Sequence, residues 1–364
     1  MNAKLKQQVI EARLDDGLTF SQIRREFGVA KSTAQGWVAK YIEDGGVPSD
    51  QFEFEGFVCE NKLKEQPKSV YLASKELSHV EEFLESLTPI NLPAPKRKVL
   101  KNSKPSKFAL IAGDFHFPLQ CDASVNIFLQ VVDELQPEVV ILNGDTVDLL
   151  AVSKYPKDIR KNYTLFEERE AYHNFLHRLL EVTSDETVIY ETSANHSGNG
   201  VEGRWWRYLS ANIGDLSCLP ELKEMLSYQN IFLGQYQDEV EYVDHVALTE
   251  DFIILHGDVV RKNGGYSARG MFEKWHTSLM HNHTHRFGMT AQRVPALGNR
   301  PNKQYYAWEN ACMCDLDPVY ASATNWQNGF SIVSIDGDSF AVEPVMVNDG
   351  VATVSTLQKT FYAD

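Results

Sequence analysis

The chain has no run approaching the roughly 18 apolar residues of a membrane span. Its longest apolar stretches, Val139 to Leu142 and Phe252 to Leu255, are strand-sized. The first residues, MNAKLKQQVIEARLDDG, contain no apolar signal core, so the expectation is a cytoplasmic protein without a membrane partner. Cysteine is scarce. Cys59, Cys121, Cys218, Cys312 and Cys314 are odd in number and widely scattered, which excludes a disulfide framework and fits free thiols in a reducing compartment. Cys312-x-Cys314 has no second pair beside it, so packed strand cysteines are the better reading than a zinc knuckle. Basic residues are also outnumbered, 35 Lys and Arg against 50 Asp and Glu, for a net charge of −15. That balance excludes indiscriminate coating of nucleic acid, because phosphate would repel it. It leaves room for a local basic module, or for metal ions that offset part of the acidity. No internal repeat is visible.

What is present is a core-forming composition, 43% hydrophobic and 23% charged, over 364 residues. At about 150 residues per domain this length suggests two domains. Pattern distinguishes two domains, residues 1–47 and 108–364, and a connecting stretch, 48–107. In the first, Leu5, Val9 and Ile10 recur at helical spacing until Asp15-Asp16-Gly17. Thr19 and Gln22 resemble a capping box, Gly28 supplies a turn, and a third helix follows with Trp37 and Val38 inward. The row GLTFSQIRREFGVAKSTAQGWVAKY resembles the helix-turn-helix of resolvases, invertases and transposase amino-terminal domains. The resemblance implies that Lys31, Ser32, Thr33 and Gln35 face base edges in DNA while Arg24, Arg25 and Lys40 meet phosphates. A docking or oligomerisation module is the alternative.

The stretch 48–107 mixes Gly and Pro breaks, an amphipathic run from Ser74 to Leu87, and a basic segment with Lys96, Arg97, Lys98, Lys101, Lys104 and Lys107. It reads as a solvated linker. From Phe108 strands and helices alternate: FALIAGD, VNIFLQVVDELQ, EVVILNGD, FEEREAYHNFLHRLLEV and TVIYETSANH. The alternation predicts a layered α/β domain with its functional loops at the carboxyl ends of the strands. GFSIVSIDGDSFAVEPVMV predicts a terminal hairpin.

Polar residues collect at those strand ends: Asp114-x-His116, Gly144-Asp145-x-x-Asp148, Asn195-His196, His256-Gly257 and His283-x-His285. Carboxylate, imidazole and amide groups gathered there can hold two divalent metals, and imidazole suits Mn, Fe and Zn better than Mg or Ca. The order of the five elements resembles the calcineurin-like metallophosphoesterase superfamily, and the row HGDVVRKNGGYSARGMFEKW before HTHR its phage and prophage branch. The resemblance implies a four-layer sandwich of two mixed β-sheets flanked by helices, beside the small all-α helix-turn-helix domain. A phage-encoded chain would act in the bacterial host cytoplasm. One metal would be held by Asp114, His116, Asp145 and His285, the other by Asp145, Asn195, His256 and His283. Manganese is the expected ion, with iron or zinc as alternatives. His196 would protonate the leaving oxygen after attack by a metal-bridging hydroxide, with Asp148 orienting His196. His79, His173, His177, His245 and His276 read as structural or surface residues, and His281 as second to the ligands.

Two departures from the family pattern, Ala194 and Asn282, stand where glycine is usual, and both lead to an expectation of shifted loops because glycine takes φ > 0 cheaply. Ser197 replaces an acid, which makes the site less negative and favours an anionic polymer as substrate. Trp206 and Leu209 should pack inward from the helix after His196, leaving Arg204 and Arg207 near the mouth, with Lys262 and Arg286 as further rim residues for phosphate. The expected function is a two-metal phosphodiesterase on DNA, a sequence-directed endonuclease or nickase. The alternatives are a DNA-binding regulator or assembly factor with a vestigial phosphoesterase domain, and a phosphatase on small or protein phosphoesters.

Overall fold

A computed structural model describes residues 3–14, single positions between 23 and 40, 107–154, 163–198, 203–213, 224–296, 302–318 and 324–363. Its contacts divide the chain into two units, residues 1–71 and 72–364. In the first, α1 (Ala3–Leu14) carries Val9 and Ala12 into a small core with Ile23 and Val29, and Leu5, Phe27 and Trp37 pack against it. Thr33 and Lys40 are helical, and Lys40 is exposed. Arg24, Arg25, Lys31, Ser32 and Gln35 lie outside the described residues, as do the expected helix and basic stretch between 41 and 106.

In the second unit the order is β1 (Lys107–Ala112), α2 (Asp122–Leu135), β2 (Val139–Leu142), α3 (Leu165–Val182), β3 (Val188–Thr192), α4 (Arg204–Ile213) and β4 (Val240–Val243). Then come β5 (Val246–Thr249), β6 (Phe252–Leu255), α5 (Tyr266–Trp275), β7 (Ser278–His281), β8 (Gly288–Val294) and β9 (Lys303–Glu309). β10 (Gly329–Asp336), β11 (Ser339–Met346), β12 (Val351–Val354) and β13 (Lys359–Tyr362) close the chain. One sheet runs β11-β10-β1-β2-β3-β4, a second β5-β6-β7-β9-β8, and β12 pairs with β13. β1 to β4 are parallel neighbours, whereas β10 and β11 form the expected antiparallel hairpin on the other side of β1.

The layering follows from the period of two along each strand. Leu110, Val140 and Ile189 face a core with Phe128 and Val132 of α2 and Leu176 and Leu179 of α3. Their neighbours Ala109, Ile111 and Ile141 point the other way, onto Phe252, Ile254 and Met280 of the second sheet. Leu255, Leu279 and Ala307 of that sheet then turn outward onto Ala268, Met271 and Phe272 of α5. Both faces of β1 and β2 are thus covered, which is why their sequences are apolar without alternation. The result is a mixed α/β unit with two main sheets packed face to face and helices outside each.

Three fully buried asparagines tie the two sheets together at their carboxyl ends. Asn143, just after β2, donates to the Leu255 carbonyl at 2.9 Å and to Asn282 Oδ1 at 2.8 Å. Asn282, just after β7, donates to the Ala311 carbonyl at 2.8 Å. Asn310, just after β9, donates to the Ile111 carbonyl at 3.1 Å and accepts from Ser331 Oγ at 2.8 Å. Buried amides without such partners would each cost about 1–3 kcal/mol, so the pairing fixes the two sheet ends against one another.

α3 starts with a capping box, in which Thr164 Oγ1 accepts from the Glu167 N–H at 3.2 Å and Glu167 Oε2 from the Thr164 N–H at 2.8 Å. Glu168 on its next position is buried and accepts from the Leu150 and Ala151 N–H groups at 3.2 and 2.8 Å, bracing the turn after Asp148. Burial, with Asp148 nearby, raises its carboxyl to about 8, although the backbone N–H groups oppose the rise. The folded chain therefore binds this proton more tightly than the unfolded chain does, and its contribution to stability is lost as pH rises from about 4.5 through 8. Glu168→Gln should flatten the pH dependence of the melting temperature over that window; an unaltered dependence would contradict the buried protonated acid.

Candidate metal centre

All five polar elements from the sequence meet in one place, at the carboxyl ends of β1, β2, β3, β6 and β7. Asp114 and His116 follow β1, Asp145 and Asp148 follow β2, Asn195 and His196 follow β3, His256 follows β6, and His283 and His285 follow β7. Asp114, Asp145, Asp148, His116, His196, His256 and His285 are all buried. Asp145 Oδ2 lies 3.3 Å from His256 Nε2, and His256 Nε2 lies 3.0 Å from Asn195 Oδ1. Asp114 Oδ1 lies 3.4 Å from His285 Nε2, which is 3.2 Å from His116 Nε2. Donor atoms of Asp114, His116 and Asp145 fall within 4.8 Å of one another, and so do those of Asp145, His256 and His283. Asp145 belongs to both groups.

The outer ring nitrogens decide which way the inner ones point. His116 Nδ1 donates to Asp148 Oδ1 at 2.9 Å, and His256 Nδ1 donates to the Asn143 carbonyl at 2.9 Å. A ring whose Nδ1 carries the proton has its lone pair on Nε2, and both Nε2 atoms face the carboxylates. His116 Nε2 and His285 Nε2 then confront each other beside Asp114 Oδ1, a buried oxygen with no hydrogen-bond partner. In so dry a place that oxygen stays unsatisfied unless a cation lies among these groups. The residues fit divalent metal ions for that reason, and the N/O donor set suits a transition metal.

The charges agree. Burial alone would raise Asp114, but His285 and His256 outweigh it and hold its carboxyl at about 2. Asp145 is likewise opposed by burial and is held well below the ordinary carboxylate range by His196 and His256. Burial lowers His256, yet Asp145 and Asp114 more than reverse that and lift it to about 9. The centre demands positive charge. His196 differs: burial pushes it down to about 3, with Asp145 opposing and Arg204 assisting.

Several expectations need correction. Asp148 hydrogen-bonds His116, not His196, whose Nδ1 stands 3.8 Å away and has no partner. His196 is anchored instead through its backbone, its N–H donating to Asp145 Oδ1 at 3.0 Å. Arg286 is not on the rim. It is buried in an ion pair with Glu309 at 2.7 Å, and it donates to the carbonyls of Arg261 and Lys262. A guanidinium without a carboxylate could not be buried there cheaply. Lys262 and Arg207 are exposed. Arg204 is half-buried, 3.6 Å from Asp148 Oδ2, and donates to the Asp148 carbonyl. On α4 it is Trp205, with Leu209, that packs inward, its Nε1 donating to the Leu226 carbonyl at 2.7 Å; Trp206 is only partly covered. His281 is buried, with Nδ1 2.7 Å from the Asn282 carbonyl, as a residue second to the ligands would be.

Neither Ala194 nor Asn282 takes positive φ. Left-handed φ falls on the donors themselves: Asp114 (52°), His116 (52°), Asp145 (46°), His283 (71°) and His285 (60°). Such conformations cost on the order of 1–3 kcal/mol each and persist only where the surroundings enforce them. Sequence reading also missed three neighbours of the donors: Asn143, Trp326, whose ring centroid is 4.2 Å from that of His285, and Cys314. Asn143 adjoins Gly144-Asp145 and could have been suspected; Trp326 had no local signal.

Comparison with known proteins gives limited help. No family model matches the chain. The gene 54 protein of Mycobacterium phage L5 is 24% identical over 261 residues, covering 67% of this chain and 95% of that protein. Among solved structures, a single mutant of Vps29 from Entamoeba histolytica covers 67% of this chain and 94% of its own at 13% identity and a TM-score of 0.33. Vps29 of Cryptosporidium parvum covers 71% and 98% at 13% identity and a TM-score of 0.35. At these values neither likeness bears on activity. No helix among the described residues is long and apolar enough to cross a membrane.

Gly144 is a tight backbone position at the centre. It takes φ of +75°, and an added Cβ would stand 2.6 Å from Ala194 Cβ and 2.7 Å from His256 Nδ1. Gly144→Ala should destabilise the fold by about 1–3 kcal/mol in urea unfolding. An unchanged unfolding midpoint would show that this turn is not held as described.

Proposed function

We propose that this chain is a two-metal phosphodiesterase of the calcineurin-like metallophosphoesterase kind acting on DNA, in the manner of a sequence-directed endonuclease or nickase. The observation that carries the reading is the convergence of Asp114, His116, Asp145, Asn195, His256, His283 and His285 on one buried centre, with the Nε2 atoms of His116 and His256 turned inward. The two packed sheets with outer helices are the layering that such a function would require. Asp114, His116, Asp145 and His285 would hold one ion, and Asp145, Asn195, His256 and His283 the other, with manganese as the expected metal.

The bound cations would neutralise phosphate oxygens and acidify a water molecule as the nucleophile. The chain's own residues do the rest. Asp145 keeps both donor sets in register, since one carboxylate serves both. Asp148 holds the His116 ring in its working tautomer. His196, anchored to Asp145 through its N–H, would be the group that protonates the departing oxygen.

Two features favour an anionic polymer. Ser197 stands where an acid is usual in the family, and its buried hydroxyl accepts from Tyr242 Oη at 3.1 Å. Arg204 and Arg207 lie three positions apart on α4, on one side of the helix, and run from Asp148 outward to solvent. DNA as that polymer rests on the helix-turn-helix resemblance of residues 17–41.

With manganese the wild type should nick supercoiled DNA, and Asp145→Asn should not. His196→Ala should lose about 10²–10⁴-fold in turnover while retaining its metal, whereas His283→Ala should lose metal occupancy. Turnover of an aryl phosphodiester without action on DNA would favour the small-ester alternative. No turnover of either by a metal-loaded protein would favour the vestigial one.

A further inference from the structure

The third inward-facing imidazole has an outer partner of a different chemical kind. His116 Nδ1 meets a carboxylate and His256 Nδ1 a peptide carbonyl, but His285 Nδ1 meets the sulfur of Cys314 at 3.6 Å. That separation is within the range of a hydrogen bond to sulfur. Cys314 is buried, and its backbone is fixed: it bridges to Gln120, and its carbonyl accepts from Asn328 Nδ2 at 2.7 Å. Trp326 packs on the same ring. The imidazole is therefore wedged, and the atom at its Nδ1 edge determines which nitrogen bears the proton.

We propose that Cys314 is a positioning residue: its sulfur accepts the Nδ1 proton of His285 and so keeps the Nε2 lone pair of that ring aimed at the space between Asp114 and His116. The inference rests on the metal-binding reading above and adds a residue to it. In this arrangement Cys314 acts from behind the ring, because Nε2 of His285, on the other edge, is the atom beside the Asp114 carboxylate. Sulfur accepts more weakly than the Asp148 carboxylate does, so the metal position served by His285 has one firmly held imidazole and one softly held imidazole. Outer partners of this type typically alter metal affinity by 10- to 100-fold when removed.

The test uses the full-length chain and manganese as probe, with the affinity of each ion measured by competition against a chelator. Cys314→Ala and Cys314→Val both remove the acceptor, the second while filling the volume. Each should weaken one of the two ions by about 10- to 100-fold and leave the other unchanged. Cys314→Ser restores an acceptor and should bind both ions within a few-fold of wild type. A Cys314→Val protein that binds both ions like wild type would overturn the proposal, as would equal weakening of both ions, which signals general loosening. A wild type that binds no manganese would instead sink the metal-binding reading itself, and this inference with it.

Discussion

Asp145 sits where every other constraint of the centre meets. Its carboxylate is almost wholly buried and belongs to both donor sets, with Oδ1 accepting the His196 N–H and Oδ2 facing His256. A charge in that position is expensive unless it is paired. The imidazoles around it supply part of the compensation, and Asp145 and Asp114 in turn lift His256 to about 9 against its burial. Divalent ions would supply it better, because they also separate the facing nitrogens of His116 and His285.

The rest of the fold serves to hold those groups in place. Parallel strands deliver their polar ends to one edge, and the Asn143, Asn282 and Asn310 contacts lock the second sheet's ends against the first's. Around them the chain adopts left-handed φ at five donor positions. That strain is tolerable because apolar packing on both faces of each sheet fixes the strands from which the loops spring. Arg286 and Glu309 extend the same scheme outward, gripping the carbonyls of the loop that carries Arg261 and Lys262.

Much of this was legible in the sequence, and the limits have a pattern. β1 and β2 could be read because doubly buried strands are uninterrupted apolar runs, and the β10–β11 hairpin because Gly337-Asp338 breaks two strand-like runs. The donors could be read because each stands just beyond such a run. Which side chain a donor pairs with could not, because that depends on a second loop: Asp148 reaches His116, and not His196, only once the loops after β1, β2 and β3 are stacked. Arg286 looked like a rim residue because Glu309, its partner, is on a strand distant in sequence. Positive φ falls not at Ala194 and Asn282, where glycine is usual, but on donors whose side chains are turned inward. Cys314 was rightly read as a packed cysteine, yet its contact with His285 had no local signature.

The central claim is that one buried carboxylate organises a two-ion centre. Elemental analysis of the full-length chain after equilibration with manganese and removal of free ion tests it most directly. Two manganese ions per chain are expected in the wild type and fewer than one in Asp145→Asn of unchanged fold. Two ions retained by Asp145→Asn, or none bound by the wild type, would contradict the account.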